Sequence, residues 1–155
     1  MSKGATGFYD VTQMLKDQLL SDVNINTVTI GDITDINLNK TDMFPIAHLI
    51  TNNVVCQEQV LVFNVSIMSC DIVNKSKELT LDRYVDNNNM QDILNTHLLV
   101  LNKLIQRLRK GQLHQDGYQL EGDPSVSPFY DRFENQMAGW TADFNIIIHN
   151  DITIC

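Results

Sequence analysis

Apolar residues recur at helical spacing in two stretches of the chain and alternate with polar ones in several others. Val11, Met14, Leu15 and Leu19 form the first helical stripe, and Asp10 followed by Gln13 resembles a capping box, which predicts a helix from Val11 to about Leu20. Asn24 to Ile30 is rich in β-branched residues and reads as a strand stopped by Gly31-Asp32. Ile33, Ile36 and Leu38 then punctuate a polar segment as far as Asp42, which suits a long loop or a hairpin arm. Phe44-Pro45 introduces a second strand through Ile50, where Pro45 is tolerable because a first strand position needs no ladder donor, and Asn52-Asn53 breaks it. The clearest alternation follows. Leu61, Phe63, Val65 and Ile67 point to one face, the expected core, while Val62, Asn64, Ser66 and Met68 point to the other.

Ile72 to Asp86 carries mixed charge and few apolar residues, a connection of about 15 residues, longer than a compact domain usually needs. Contact with a neighbouring subunit accounts for such length, and so does disorder. Asn89 can cap a second helix from Met90 to Lys110. Its stripe is Met90, Ile93, Leu94, His97, Leu98, Leu101, Leu104, Ile105 and Leu108, with Gly111 at the position after the helix end. A helix of that length spans about 30 Å, enough to lie along a whole sheet. Beyond it, Gly117 to Glu121 is a short strand, Gly122-Asp123-Pro124 is turn chemistry, and Val126–Phe133 and Gly139–His149 pair as a hairpin around Glu134 to Ala138. Trp140, Ala142, Phe144, Ile146 and Ile148 give the last strand an apolar face, although Ile147 interrupts its polar side. The expectation is α+β: a mainly antiparallel sheet of about five or six strands with two helices packed on one face, in the order α-β-β-β-α-β-β-β. Residues 1–155 make a single domain with a flexible start through residue 7, and 33–42 and 72–86 are candidate inter-subunit arms.

A chain of 155 residues buries roughly 70% of the surface its unfolded form exposes, so one core suffices. The formal charge of −8 argues against a nucleic-acid reader, because phosphate affinity comes from clustered Lys and Arg. The one basic cluster, Lys103, Arg107, Arg109 and Lys110, sits where cations complement the carbonyl end of a helix. Acidity would instead suit a conduit through which DNA must slide without sticking. Met1 to Gly7 lacks the basic start and apolar run of a signal peptide, and no stretch is long and apolar enough to span a membrane, so the expected place is the cytosol. Three cysteines, Cys56, Cys70 and Cys155, without CxxC spacing, fit reduced thiols. Sequons at Asn39, Asn64 and Asn74 carry no meaning without secretion.

Candidate chemistry is sparse. His48, His97, His114 and His149 stand too far apart for an HxxxH or HExxH ligand pair, and His97 on the helical stripe reads as a structural histidine. Asp32 and Asp35 lack the further oxygen ligands and closing Glu of a calcium loop. No GxSxG elbow, Walker loop or GxGxxG is present. The reading is therefore a non-enzyme without cofactor, metal or catalytic residues. Aromatics carry the remaining signal: Trp140 and Phe144 suit the core, whereas Tyr118, Phe129, Tyr130 and Phe133 suit either core or a protein contact.

A helix opening at Tyr9-Asp10, then Ile30-Gly31-Asp32, then Phe44-Pro45 leading into a strand, the alternating Leu61–Ile67, the long helix and a final hairpin with Trp140-Thr141-Ala142-Asp143-Phe144 together resemble the tail-terminator, or tail-completion, proteins of tailed bacteriophages. The resemblance spans nearly the whole chain and rests on element order and short strings. It implies a sheet flanked by helices and a closed ring, usually of six copies, on the tail tube, facing the head connector. The expected partners are then the chain itself, a tail tube protein and head connector or neck proteins, with DNA passing through the bore without specific binding and with no membrane. The place is the virion tail or neck, assembled in the host cytoplasm. Ile33, Ile36, Leu38, Tyr84, Tyr118 and Tyr130 are the subunit-interface candidates. The alternatives are another neck or tail ring protein, such as a head-closure or collar subunit, and a non-catalytic soluble adaptor whose acidic surface recruits a basic partner.

Overall fold

The computed structural model describes residues 3–32, 44–73, 90–132 and 137–152. In chain order the elements are α1 (Lys3–Leu20), β1 (Thr27–Ile30), β2 (Ile46–Cys56), β3 (Val60–Ile72), α2 (Met90–Lys110), α3 (Gln112–Gln115), β4 (Gln119–Leu120), β5 (Val126–Arg132) and β6 (Met137–His149). The fold is α+β, as the periodicities predict. Six strands form one mixed, mainly antiparallel sheet in the order β1-β2-β3-β6, with β4 and β5 both on the far edge of β6. β3 pairs with β6 along its whole length, from Val60 opposite His149 to Ile72 opposite Met137. β4 and β5 must therefore share the other edge of β6 end to end, at Ile146–Ile147 and at Met137–Ala142 respectively. β1 runs parallel to β2, and the Pro45 carbonyl just before β2 accepts the Asn26 N–H at 2.9 Å.

Strand alternation and helical stripes meet in the principal core. Leu61, Phe63, Val65 and Ile67 of β3 and Ala142, Phe144, Ile146 and Ile148 of β6 face α1 and α2, whose Val11, Leu15, Leu19, Leu101, Leu104 and Leu108 close the layer. Burying a side chain of this size is worth about 1.5–3 kcal/mol, so this face is where stability concentrates. Trp140 Nε1 donates to the Leu94 carbonyl at 2.7 Å and ties β6 to α2. The opposite face is divided. At one end Phe44, Ile46, Met68, Cys70, Phe129 and Met137 make a second apolar cluster. At the other, Asn52, Asn64 and Ser66 are linked by hydrogen bonds of 2.7–2.8 Å, Asn64 donates to Asn145, and Ser66 donates to Asp143. Gly139, paired with Cys70 and Phe129 of the apolar cluster, has no room for a side chain because a Cβ there would lie 2.1 Å from the Ser69 carbonyl oxygen.

Several expectations need correction. α1 begins at Lys3 and not at Val11, with a kink at Thr6 (φ −119°, ψ 19°). Asp10 is thus no N-cap but accepts a hydrogen bond from Thr6 Oγ1 at 2.8 Å within the helix, and most of the start read as flexible is helical. Asn52-Asn53 does not end β2: the register shifts between Thr51 and Asn53, so Asn52 is the extra residue of a bulge and the strand continues to Cys56. Gly111 is extended (φ −102°, ψ −164°) and precedes α3, a turn that helical periodicity does not announce in four residues. The strand expected over Gly117–Glu121 shrinks to Gln119–Leu120. The candidate arm 33–42 lies outside the described residues, as does 72–86 apart from its first two positions, of which Ile72 ends β3 and Val73 is buried.

Candidate functional site

Of the six interface candidates, Ile33, Ile36, Leu38 and Tyr84 lie outside the described residues, and Tyr130 sits in β5 with its side chain outside them. Tyr118 packs half-buried against the principal core. Burial first, and then the Asp10 and Asp116 carboxylates, push its phenol up from the ordinary tyrosine value. Tyr118 is thus the one candidate whose side chain lies among the described residues.

Two features the sequence reading did not single out are better defined. The first is the outer edge of β2. β1 covers only Ile46 to Leu49, and no described residue pairs with the outer edge beyond it. From Ile50 to Cys56 the strand carries no charge and no proline, and Asn52 to Cys56 are exposed, Val55 to 48%. Natural sheet edges are usually guarded by charges, prolines or covering segments, and among the described residues only the bulge at Asn52 serves here. Beside this edge Phe8 (56% exposed), Ile30 and Ile50 help line an open depression of about 340 Å³.

The second is a polar cluster where β3 passes under the start of α2. His97 and Ser69 are both buried, and Ser69 Oγ lies 2.6 Å from His97 Nδ1. Loss of solvent drives the His97 imidazole down to about 4, against a smaller upward pull from Asp22, so the ring is neutral at pH 7. Asp71 follows two residues after Ser69 on β3, and its carboxyl is raised by burial against the Ile72 N–H that it accepts at 2.7 Å. Asp92 lies in the first turn of α2. Asp71, Asp92, Thr96 and His97 line one open cleft of about 400 Å³.

The other buried histidine has no free valence. His48 Nε2 is 3.0 Å from the Asp32 carbonyl, which only accepts, so Nε2 carries the proton and Nδ1 accepts from Thr29 Oγ1 at 2.6 Å. It pins β1 to β2. Among the described residues no three His, Cys, Asp or Glu side chains are grouped to hold a metal, and no helix is long and apolar enough to cross a membrane. The basic residues of α2 are partly engaged: Arg107 donates to Gln18 Oε1 at 3.2 Å, Arg109 pairs with Asp123 at 2.6 Å, and Lys103 stands 3.9 Å from Asp22. The chain matches no known family model and no curated protein.

Sequence signals for both features were present but ambiguous. Asn52-Asn53 reads as a stop because a bulge and a turn favour the same residues. Asp71 and Asp92 are far apart in sequence, and only the packing of α2 on β3 brings them to one cleft.

Proposed function

We propose that the chain is a non-catalytic structural subunit of a tailed bacteriophage that closes into a ring at the tail tube, in the manner of a tail terminator or a related neck protein. The observation that carries the reading is the uncharged, exposed edge of β2 with Phe8, Ile30, Val54 and Val55 around it. An open edge offers a row of backbone donors and acceptors for another chain to pair with. In a head-to-tail contact β2 of one copy meets the far margin of the next copy's sheet, where β4 and β5 lie, and repetition of that contact closes a ring when the rotation allows. Two long helices on one face of the sheet agree with the architecture that the resemblance implies. A net charge of −8 lets DNA pass through a bore without adhering.

Light scattering and negative-stain imaging of the purified chain, alone and with tail tube or head connector protein, test the reading. The expected result is a closed ring. Val55→Lys, which places a charge on the exposed edge on the face away from the principal core, is expected to shift the population to monomer while circular dichroism stays unchanged. A monomer at every concentration and with both partner proteins present overturns the ring.

A further inference from the structure

The cleft at the start of α2 is lined by three polar groups whose bonding capacity is not filled among the described residues. His97 is 1% exposed, and Ser69 occupies its Nδ1. Nε2 has no hydrogen-bond partner among the described residues, and His97 lines the cleft. Asp71 lines the same cleft, with its carboxylate bonded to the Ile72 N–H and, among the described residues, to no cation. Asp92 is exposed at the rim and makes neither a hydrogen bond nor an ion pair among the described residues. Partly desolvating a carboxylate without a countercharge is costly, and burial raises the Asp71 carboxyl above its ordinary value. Val23, which is 95% exposed, and Ile93 add an apolar wall to the same cleft.

We propose that this cleft binds an alkylammonium or alkylguanidinium group, with the cation between Asp71 and Asp92, its aliphatic stem along Ile93 and Val23, and the neutral His97 ring at the floor. Carboxylates at the opening select charge, and the apolar wall selects a group whose charge is carried on a methylene stem. A free metal ion fits less well, since among the described residues no three His, Cys, Asp or Glu side chains are grouped to hold one. The same chemistry is carried by a lysine or arginine side chain of another polypeptide and by a free aliphatic diamine. The proposal does not depend on ring formation.

The test is a titration of the full chain followed by amide and imidazole resonances. Four probes are used: Nα-acetyl-lysine methylamide, Nα-acetyl-arginine methylamide, 1,4-diaminobutane and, as the uncharged match, Nα-acetyl-norleucine methylamide. Saturable shifts of the His97 ring and of the Asp71 and Asp92 amides with a cationic probe, and none with norleucine, are expected. Saturation by the amino-acid probes alone identifies a polypeptide side chain as the source, and saturation by the diamine alone identifies a free polyamine. Asp92→Asn, at an exposed helix position, should weaken binding about tenfold, the effect of removing one charge-assisted contact. Asp71→Asn should act in the same direction where its spectrum shows an intact fold. Shifts that never saturate, that spread equally to His114 and His149, or that persist unchanged in Asp92→Asn overturn the proposal.

Discussion

Acidification should weaken this fold through one residue. His97 is buried against Ser69, and desolvation holds its ring at about 4, while in the unfolded chain the ring titrates at its ordinary 6.5. Between those values the unfolded state binds a proton that the folded state refuses, so stability falls as pH falls. The contribution is absent above pH 7, amounts to about 2 kcal/mol lost by pH 5, and reaches about 3 kcal/mol by pH 4. Asp71 works in the opposite sense: its folded value is raised, so its stabilising share is present at low pH and declines as pH rises through the interval above 3.8. Asp71 and the remaining carboxylates are common to a variant that removes only the imidazole, and a comparison cancels them. His97→Asn leaves an amide near the Ser69 hydroxyl and has no group that titrates in this range. Urea unfolding at pH 7.5, 6 and 5 should show the wild type more stable at pH 7.5, with the gap between the two proteins narrowing by about 2 kcal/mol at pH 5. Parallel stability curves would mean that the ring already takes its proton in the folded state, and the account of a desolvated neutral imidazole would fall.

Phe144, fully buried between β3 and the helices, should cost about 3–5 kcal/mol when replaced by alanine, read as a lowered urea midpoint at unchanged slope. A native-state thiol label followed by peptide mapping should modify exposed Cys56 and spare Cys70, whose thiol is buried and pushed up to about 12, until denaturant is added. Asp123→Asn removes the partner of Arg109 at a position 93% exposed and should change stability by less than about 0.5 kcal/mol in the same urea assay, as exposed ion pairs usually do.

What could be read from the residues depended on how many turns or alternations each element repeats. α2 is 21 residues long with an unbroken stripe, and the expected bounds Met90–Lys110 coincide with the observed ones. β3 alternates from Val60 to Ile67 and β6 from Thr141 to His149, and the inward faces there are those expected. Where the signal is a single residue the inference weakens. Asp10 satisfies a helical neighbour instead of a helix end, and Gly111 turns the chain into another helix without entering the left-handed region. The parallel pairing of β1 with β2 leaves no mark in either strand, because alternation is the same in both senses. The cleft was legible only in part: His97 stood out as a polar residue on an apolar stripe, but its Ser69 partner and the converging Asp71 and Asp92 depend on tertiary packing.

The full-length pairing of β3 with β6 bears on how the chain comes into being during translation. Val60 finds His149, and every strand beyond β3 joins the sheet through β6, which the ribosome makes after all the other described elements. Until that last segment emerges, the nascent chain can zip β2 onto β3 but presents Phe63, Val65 and Ile67 without their neighbours Ile146, Phe144 and Ala142. Such distant pairing slows folding and makes it cooperative, since the closure entropy is met before the contacts that offset it form. A product truncated at residue 136 would therefore be no smaller copy of this protein; it would be an open half-sheet, sticky and fit for degradation.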